Sequence, residues 1–131
     1  MRTTYGPPQV AAYELRPGER LICWRIVRSE HRDDPVLLSS LRSNFELGLG
    51  PRAAERTSRL IHLGVSAYLN EQSAHETAEK FHKLGDWVAR LEMEHGNGFN
   101  YAHTGSRWHL TIWGDAIKLS DSVVDISPAR A

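Results

Sequence analysis

Two polar side chains near the middle of the sequence share one face of a predicted strand. Ser66 and Tyr68 lie in the run Val65–Leu69, and side chains two residues apart leave a strand on the same side. A hydroxyl beside a phenol ring on one sheet face can form the floor of a small-molecule pocket. Ser66 and Tyr68 are therefore the first candidate site residues.

An arginine interrupts an apolar run earlier in the chain. Arg25 lies within Arg20–Arg28, where most other residues are β-branched, aromatic or otherwise apolar, as expected for a central strand. A buried charge without a partner is costly, so the guanidinium group of Arg25 must reach one. Solvent at the strand end or a carboxylate can fill that role.

Three residues at helical spacing raise the question of a metal site. His75, Glu79 and His82 stand at positions i, i+4 and i+7 and so lie on one side of a helix. The spacing differs from the compact His-Glu-x-x-His pattern, and catalytic zinc sites draw ligands and supporting partners from further elements. We interpret the three residues as a polar flank and predict no metal.

Several familiar enzyme classes lack their motifs here. Cys23 lies in an apolar strand without the cationic neighbours of a reactive thiol. Ser66 stands in Gly64-Val65-Ser66-Ala67-Tyr68, which is not a Gly-x-Ser-x-Gly turn. The chain also has no Gly-x-Gly-x-x-Gly fingerprint and no Walker loop. These absences argue against thiol, α/β-hydrolase and P-loop chemistry.

The candidate residues sit in a predicted strand–helix–strand unit over Leu63–Met93. Asn70 is a suitable N-cap for the helix, and Gly85 a suitable left-handed C-cap. Helical spacing gives this segment one apolar face, made of Ala74, Thr77, Ala78, Phe81 and Leu84.

The remaining elements predict a single α+β domain over residues 1–131. We expect an irregular arm with one edge strand over 1–18, a helix capped by Asp34-Pro35, and a second helix from Arg52 to Leu63. The order favours a central mixed or antiparallel sheet with about three helices. Its strands are predicted at Arg20–Arg28, Val65–Leu69, Trp87–Met93, Trp108–Trp113 and Val123–Ile126, with a short piece around Phe99–Ala102. The predicted core comprises Ile22, Trp24, Ile26, Leu41, Leu60, Val65, Ala78, Phe81, Val88, Leu91, Leu110 and Ile112.

Composition bounds the functional classes. The 131 residues carry 16 basic and 16 acidic side chains, so no global field directs the protein to nucleic acid. No apolar run approaches the length of a membrane span, and no signal-peptide pattern opens the chain, so we expect a cytoplasmic protein with no membrane partner. The single cysteine excludes an intramolecular disulfide.

The layout of these elements resembles the ADP-ribosyltransferase group and the related RES-domain toxins, which consume NAD. The resemblance rests on the strand with Trp24-Arg25, the helices after it, and the Gly64-x-Ser66-x-Tyr68 strand followed by a helix. It covers about residues 20–95, and its motifs are short. It implies an ADP-ribosyltransferase-like fold and NAD as a small nucleotide ligand that is also the substrate.

The resemblance also implies roles for individual residues. Arg25 would hold the phosphate or ribose side of NAD, Ser66 would brace the pocket, and Tyr68 would stack on nicotinamide. A carboxylate would stabilise the cation-like centre that forms as the nicotinamide–ribose bond breaks. Its candidates are Glu79, at the position of the RES-pattern glutamate, Glu92 and Glu94 as an acid-x-acid element, and Asp115. The acceptor stays open between water, a protein and a nucleic-acid end.

A non-catalytic α+β binding or assembly module is the alternative. Its motivation is four tryptophans near predicted strand ends, because aromatic residues are enriched at interfaces. Burial in the core explains them equally well, and a homodimer is one form such a module can take. The four residues are Trp24, Trp87, Trp108 and Trp113.

Overall fold

Seven strands form one sheet in the computed structural model, which describes residues 12–31, 33–43, 46–48, 63–105 and 107–130. The order across the sheet is β1-β5-β6-β3-β2-β4-β7, and every neighbouring pair is antiparallel. The strands are β1 Tyr13–Glu14, β2 Arg20–Val27, β3 Val65–Tyr68, β4 Trp87–Glu94, β5 Asn100–His103, β6 His109–Trp113 and β7 Val123–Pro128. The α+β class is confirmed, and the sheet is antiparallel rather than mixed over these residues.

Three α-helices and one 3₁₀ turn accompany the sheet in the described residues, and each α-helix begins at a capping side chain. Asp34 accepts a hydrogen bond from the Val36 amide, Asn70 from the Ser73 amide, and Asp115 from the amides at 117 and 118. The first two caps were predicted from sequence; the helix after Asp115 was not. The helices are α1 Pro35–Ser40, α2 Glu71–Lys80 and α3 Ala116–Asp121, and the 3₁₀ turn is His82–Leu84.

The two faces of the sheet bury separate cores. Strand alternation sends Cys23 and Val27 of β2 to one face, where they join a large apolar cluster under α1 and α3. Ile26 points to the other face, where Ala74 and Ala78 of α2 pack closely on it. No helix among the described residues is long and apolar enough to cross a membrane.

The end of α2 corrects the predicted core. Phe81 was placed on the buried face of the helix, but its side chain is 59% exposed. The helix ends at Lys80, and Phe81 has φ −129° and ψ 76°, so its side chain leaves the helical register. Gly85 is therefore not the cap of α2. It packs against the end of β2, where an added Cβ would overlap the carbonyl oxygen of Val27.

The other predicted core residues divide into three groups. Ile22 and Trp24 are only half-buried, because α2 packs over the Ile26 end of that sheet face. Leu60 and the predicted helix from Arg52 to Leu63 fall outside the described residues, apart from Leu63 itself. The predicted core residues that are buried are Ile26, Leu41, Val65, Ala78, Val88, Leu91, Leu110 and Ile112.

Candidate ligand-binding site

The sheet has a seam between β2 and β3. Strand β2 pairs with β4 along all eight of its residues, and β3 pairs with β6 along all four. The pairing of β2 with β3 consists of one register pair, Trp24 with Tyr68. No second register pair is formed between these two strands, so the ladders β1-β5-β6-β3 and β2-β4-β7 are joined by one register pair.

Close packing at the start of β3 holds this strand against β6. The chain enters β3 at Gly64, where an added Cβ would overlap the Thr111 methyl group and lie 2.9 Å from the Ile112 carbonyl oxygen. Real Cβ atoms do not approach a backbone oxygen so closely, so only glycine lets the chain pass here. β3 is thereby held against β6 while β2 follows β4.

The side chain of Arg25 occupies the seam. Its Nε donates to the carbonyl oxygen of Ser40 at 2.7 Å, and its Nη1 donates to that of Ser66 at 2.6 Å. The Ser66 carbonyl belongs to the edge of β3 that faces the opening, and the Ser40 carbonyl to the last turn of α1. The guanidinium group thus replaces missing strand pairing and fastens α1 to the sheet, where a cation also suits a helix C-terminus.

A cavity of about 370 Å³ opens at this seam. That volume lies at the lower end of the range of small-molecule sites. Its polar lining consists of three arginines, four serines and a tyrosine, and its apolar lining is mainly aliphatic. The lining residues are Arg25, Ile26, Arg28, Val36, Ser39, Ser40, Arg42, Ser43, Leu47, Gly64, Val65, Ser66, Tyr68 and Leu84.

The charged residues in the described lining of the cavity are all positive. Three arginines line the cavity, and no aspartate or glutamate is found among the described lining residues. Two carboxylates bond to lining residues: Asp34 caps α1 by accepting from the Val36 amide, and Glu46 accepts from the amide and hydroxyl of Ser43. The bonds from the Val36 amide and the Ser29 hydroxyl hold the pKa of Asp34 below its usual value. The cavity therefore favours anions.

The structure brings some of the site residues predicted from the sequence together and leaves the others apart. Arg25, Ser66 and Tyr68 line the one cavity together. By strand alternation, however, Arg25 leaves the sheet on the face opposite to the paired Trp24 and Tyr68, and it reaches Ser66 through the opened seam at the backbone carbonyl.

The candidate carboxylates lie elsewhere. Glu79 is exposed on α2 and borders a shallow depression beside His75. Glu92 pairs with Arg90 at 3.0 Å, and Glu94 pairs with Arg20 at 3.1 Å. Asp115 is the cap of α3.

On the helix face that carries His75, Glu79 and His82, His75 forms contacts within the protein. Nδ1 of His75 lies 2.8 Å from the Ala129 carbonyl oxygen, and Nε2 lies 3.1 Å from the carboxylate of Glu71. Over the described ranges, no group of three or more His, Cys, Asp or Glu side chains is arranged to hold a metal ion.

A histidine that the sequence reasoning did not single out supports Tyr68 from β6. His109 is the register partner of Tyr68, and the two rings meet edge to face with centroids 5.4 Å apart. Its Nδ1 lies 2.9 Å from the carbonyl oxygen of Thr104 and 3.0 Å from the hydroxyl of the same residue. Burial lowers the pKa of His109; the bond to Thr104 opposes this effect and the charge of Arg25 adds to it. The alternation of Trp108–Trp113 was the available sequence signal.

The cysteine and tryptophans carry less functional information. Burial raises the pKa of the Cys23 thiol to about 12, against the smaller opposing effect of Arg25, so the thiol stays protonated and unreactive. Trp24, Trp87 and Trp113 are half-buried, whereas Trp108 is 41% exposed and carries the guanidinium group of Arg107 over its ring at 4.7 Å.

No protein-family model, curated protein or solved structure matches this chain.

Proposed function

We propose that this chain is a binding domain for a phosphate-bearing, nucleotide-type small molecule, held in the cavity at the β2–β3 seam. The observation that carries the proposal is a cavity lined by three arginines, with no acidic residue in the described part of its lining. Arginine suits phosphate recognition because its planar group donates two parallel hydrogen bonds and keeps its charge at any physiological pH.

The apolar lining supports a ligand with an organic part as well as a phosphate. Ile26, Val65 and Leu84 offer aliphatic contacts, and Tyr68 offers an aromatic ring that the edge of His109 supports. Aromatic rings and aliphatic walls are suited to flat bases or pyridine rings. The combination favours a nucleotide over an inorganic anion.

NAD is the first ligand to test, because the resemblance to ADP-ribosyltransferases implies it and the three residues carried over from that group share the cavity. Cleavage of NAD would need a carboxylate beside the bond that breaks. Glu79, Glu92 and Glu94 do not line the cavity, so the proposal is for binding, which corresponds to the binding-module alternative. Turnover is a separate question.

Calorimetric titration with NAD, AMP and adenosine tests the proposal, with nicotinamide release followed in the same NAD samples. The phosphate-bearing ligands should bind and adenosine should bind more weakly. Tyr68→Ala should weaken binding by about tenfold through loss of ring contact, whereas Tyr68→Phe, which keeps the ring, should stay close to wild type. A chain that binds none of these nucleotides would contradict the proposal.

A further inference from the structure

The three arginines of the cavity differ in how much of each guanidinium group the fold already uses. Arg25 is committed to the carbonyls of Ser40 and Ser66. Arg28 donates one bond, from Nη2 to the Lys83 carbonyl at 3.1 Å. The exposed side chain of Arg42 forms no hydrogen bond or ion pair with any residue that the structure describes. Arg28 and Arg42 therefore keep donors for a ligand.

The backbones of both arginines lie at the C-terminal end of α1, whereas the guanidinium group of Arg28 reaches the Lys83 carbonyl. The backbone amide of Arg28 donates to the hydroxyl of Ser40 at 3.1 Å, and Arg42 follows Ser40 by two residues. Ser39 lines the same cavity, and its hydroxyl has no hydrogen bond within the described part of the chain. The cavity is thus lined by two arginines that keep side-chain donors and by a hydroxyl without a hydrogen bond in the described residues, while the C-terminal end of α1 itself offers no donor to an anion.

The charge and size of this arrangement indicate the class of phosphate. A terminal phosphate monoester carries a charge near −2 at neutral pH, because its second pKa is about 6. A phosphodiester carries only −1 on one phosphorus. Two available guanidinium groups match the former. A cavity of about 370 Å³ accommodates a ligand of mononucleotide size, whereas a dinucleotide would extend well beyond it.

We infer that the cavity takes a phosphate monoester of mononucleotide size, with the phosphate bound by Arg28 and Arg42 and the organic part against Ile26, Val65 and Tyr68. This inference rests on the proposed function and narrows it from nucleotides in general to phosphomonoesters. Arg25 positions the end of α1 and does not itself bind the phosphate.

The test compares AMP with its phosphate methyl ester, NAD and inorganic phosphate by calorimetric titration at pH 7.5. The methyl ester keeps the shape of AMP but removes one charge. We expect AMP to bind about tenfold more tightly than each of the other three ligands. The methyl ester and NAD lose one charge-assisted hydrogen bond, and inorganic phosphate loses the contacts of the organic part. Arg42→Gln and Arg28→Gln should each lower the affinity for AMP by about tenfold.

Arg107→Gln is the matched control, since Arg107 is an exposed arginine outside the cavity lining, and it should leave AMP affinity unchanged. The inference is overturned if AMP and its methyl ester bind with equal affinity. It is also overturned if neither Arg28→Gln nor Arg42→Gln lowers the affinity for AMP. If NAD binds more tightly than AMP, the inference fails while the proposed function stands. If no nucleotide binds, both fail.

Discussion

The two edges of strand β2 differ in how they meet their neighbours. Toward β4 the strand is paired at every residue from Arg20 to Val27, and toward β3 it is paired only at Trp24. On the paired edge the backbones satisfy each other. On the open edge the side chain of Arg25 donates to the Ser66 carbonyl of β3 and to the Ser40 carbonyl of α1, and a cavity remains beside it.

This difference shows how one strand serves both the fold and a site. A continuous ladder leaves no space between backbones for a ligand, since neighbouring strands lie about 4.8 Å apart. A seam creates that space but exposes polar backbone groups, and buried groups of this kind must find partners. Arg25 resolves the conflict by supplying donors from a side chain, while Arg42 and the remaining donors of Arg28 stay available to a ligand.

The largest expected effect concerns the paired edge. In Gly85→Ala the new methyl group would overlap the Val27 carbonyl oxygen, which β2 holds in place. We expect the free energy of unfolding, measured with urea, to fall by about 3 kcal/mol. Gly96→Ala is the control: Gly96 has φ +96° with no atom within 4 Å of an added Cβ, so only backbone strain of about 1 kcal/mol applies. Equal losses in the two variants would contradict close packing at this edge.

Arg25→Ala tests the open edge. It removes two charge-assisted hydrogen bonds to the Ser40 and Ser66 carbonyls, which are then left to water in the cavity. We expect a loss of about 2 kcal/mol in the free energy of unfolding. Arg20→Ala on the same strand breaks only an exposed ion pair with Glu94 and should cost about 0.5 kcal/mol or less. If Arg25→Ala costs no more than Arg20→Ala, Arg25 does not hold the seam.

The smallest of these stability effects is a pH dependence from His109. Burial sets its folded-state pKa below the unfolded value of about 6.5, so the unfolded chain takes up the proton first. The contribution of His109 to the free energy of unfolding should be fully present above about pH 6.5. It should be lost as the pH falls from there through the folded-state pKa of His109. His109→Asn retains a donor for the Thr104 carbonyl but cannot titrate, and should lose less stability between pH 8 and pH 5. Equal losses in the variant and the wild type would exclude His109 as the cause.

Local sequence signals predicted most of the sheet because they act at short range. The alternation in Trp108–Trp113 and the apolar run Arg20–Arg28 indicated strands that lie within one residue of those observed. Asp34 and Asn70 marked helix starts for the same reason, since a cap needs only the next few amides. Asp115 is an equally suitable N-cap residue, but no helix was predicted after it.

The end of α2 and the seam could not be derived in the same way. Phe81 has helical spacing, but the chain leaves the helix at Lys80, so periodicity alone misplaced its side chain. The common face of Ser66 and Tyr68 followed from their spacing. The position of Arg25 relative to them depended on one register pair between strands about forty residues apart in sequence. Arg42 and Ser39 were missed because they lie beside the site only through that tertiary arrangement.

The central claim, that the open edge of β2 is the ligand site, is tested most directly by an NMR titration of the ¹⁵N-labelled chain with AMP. We expect amide shifts to change in residues 25–28, 39–43 and 64–68, which border the seam. Residues 91–94 of the paired edge and residues 116–121 of α3 should stay unchanged. Shifts confined to those two control segments, or no shifts at saturating AMP, would contradict the claim.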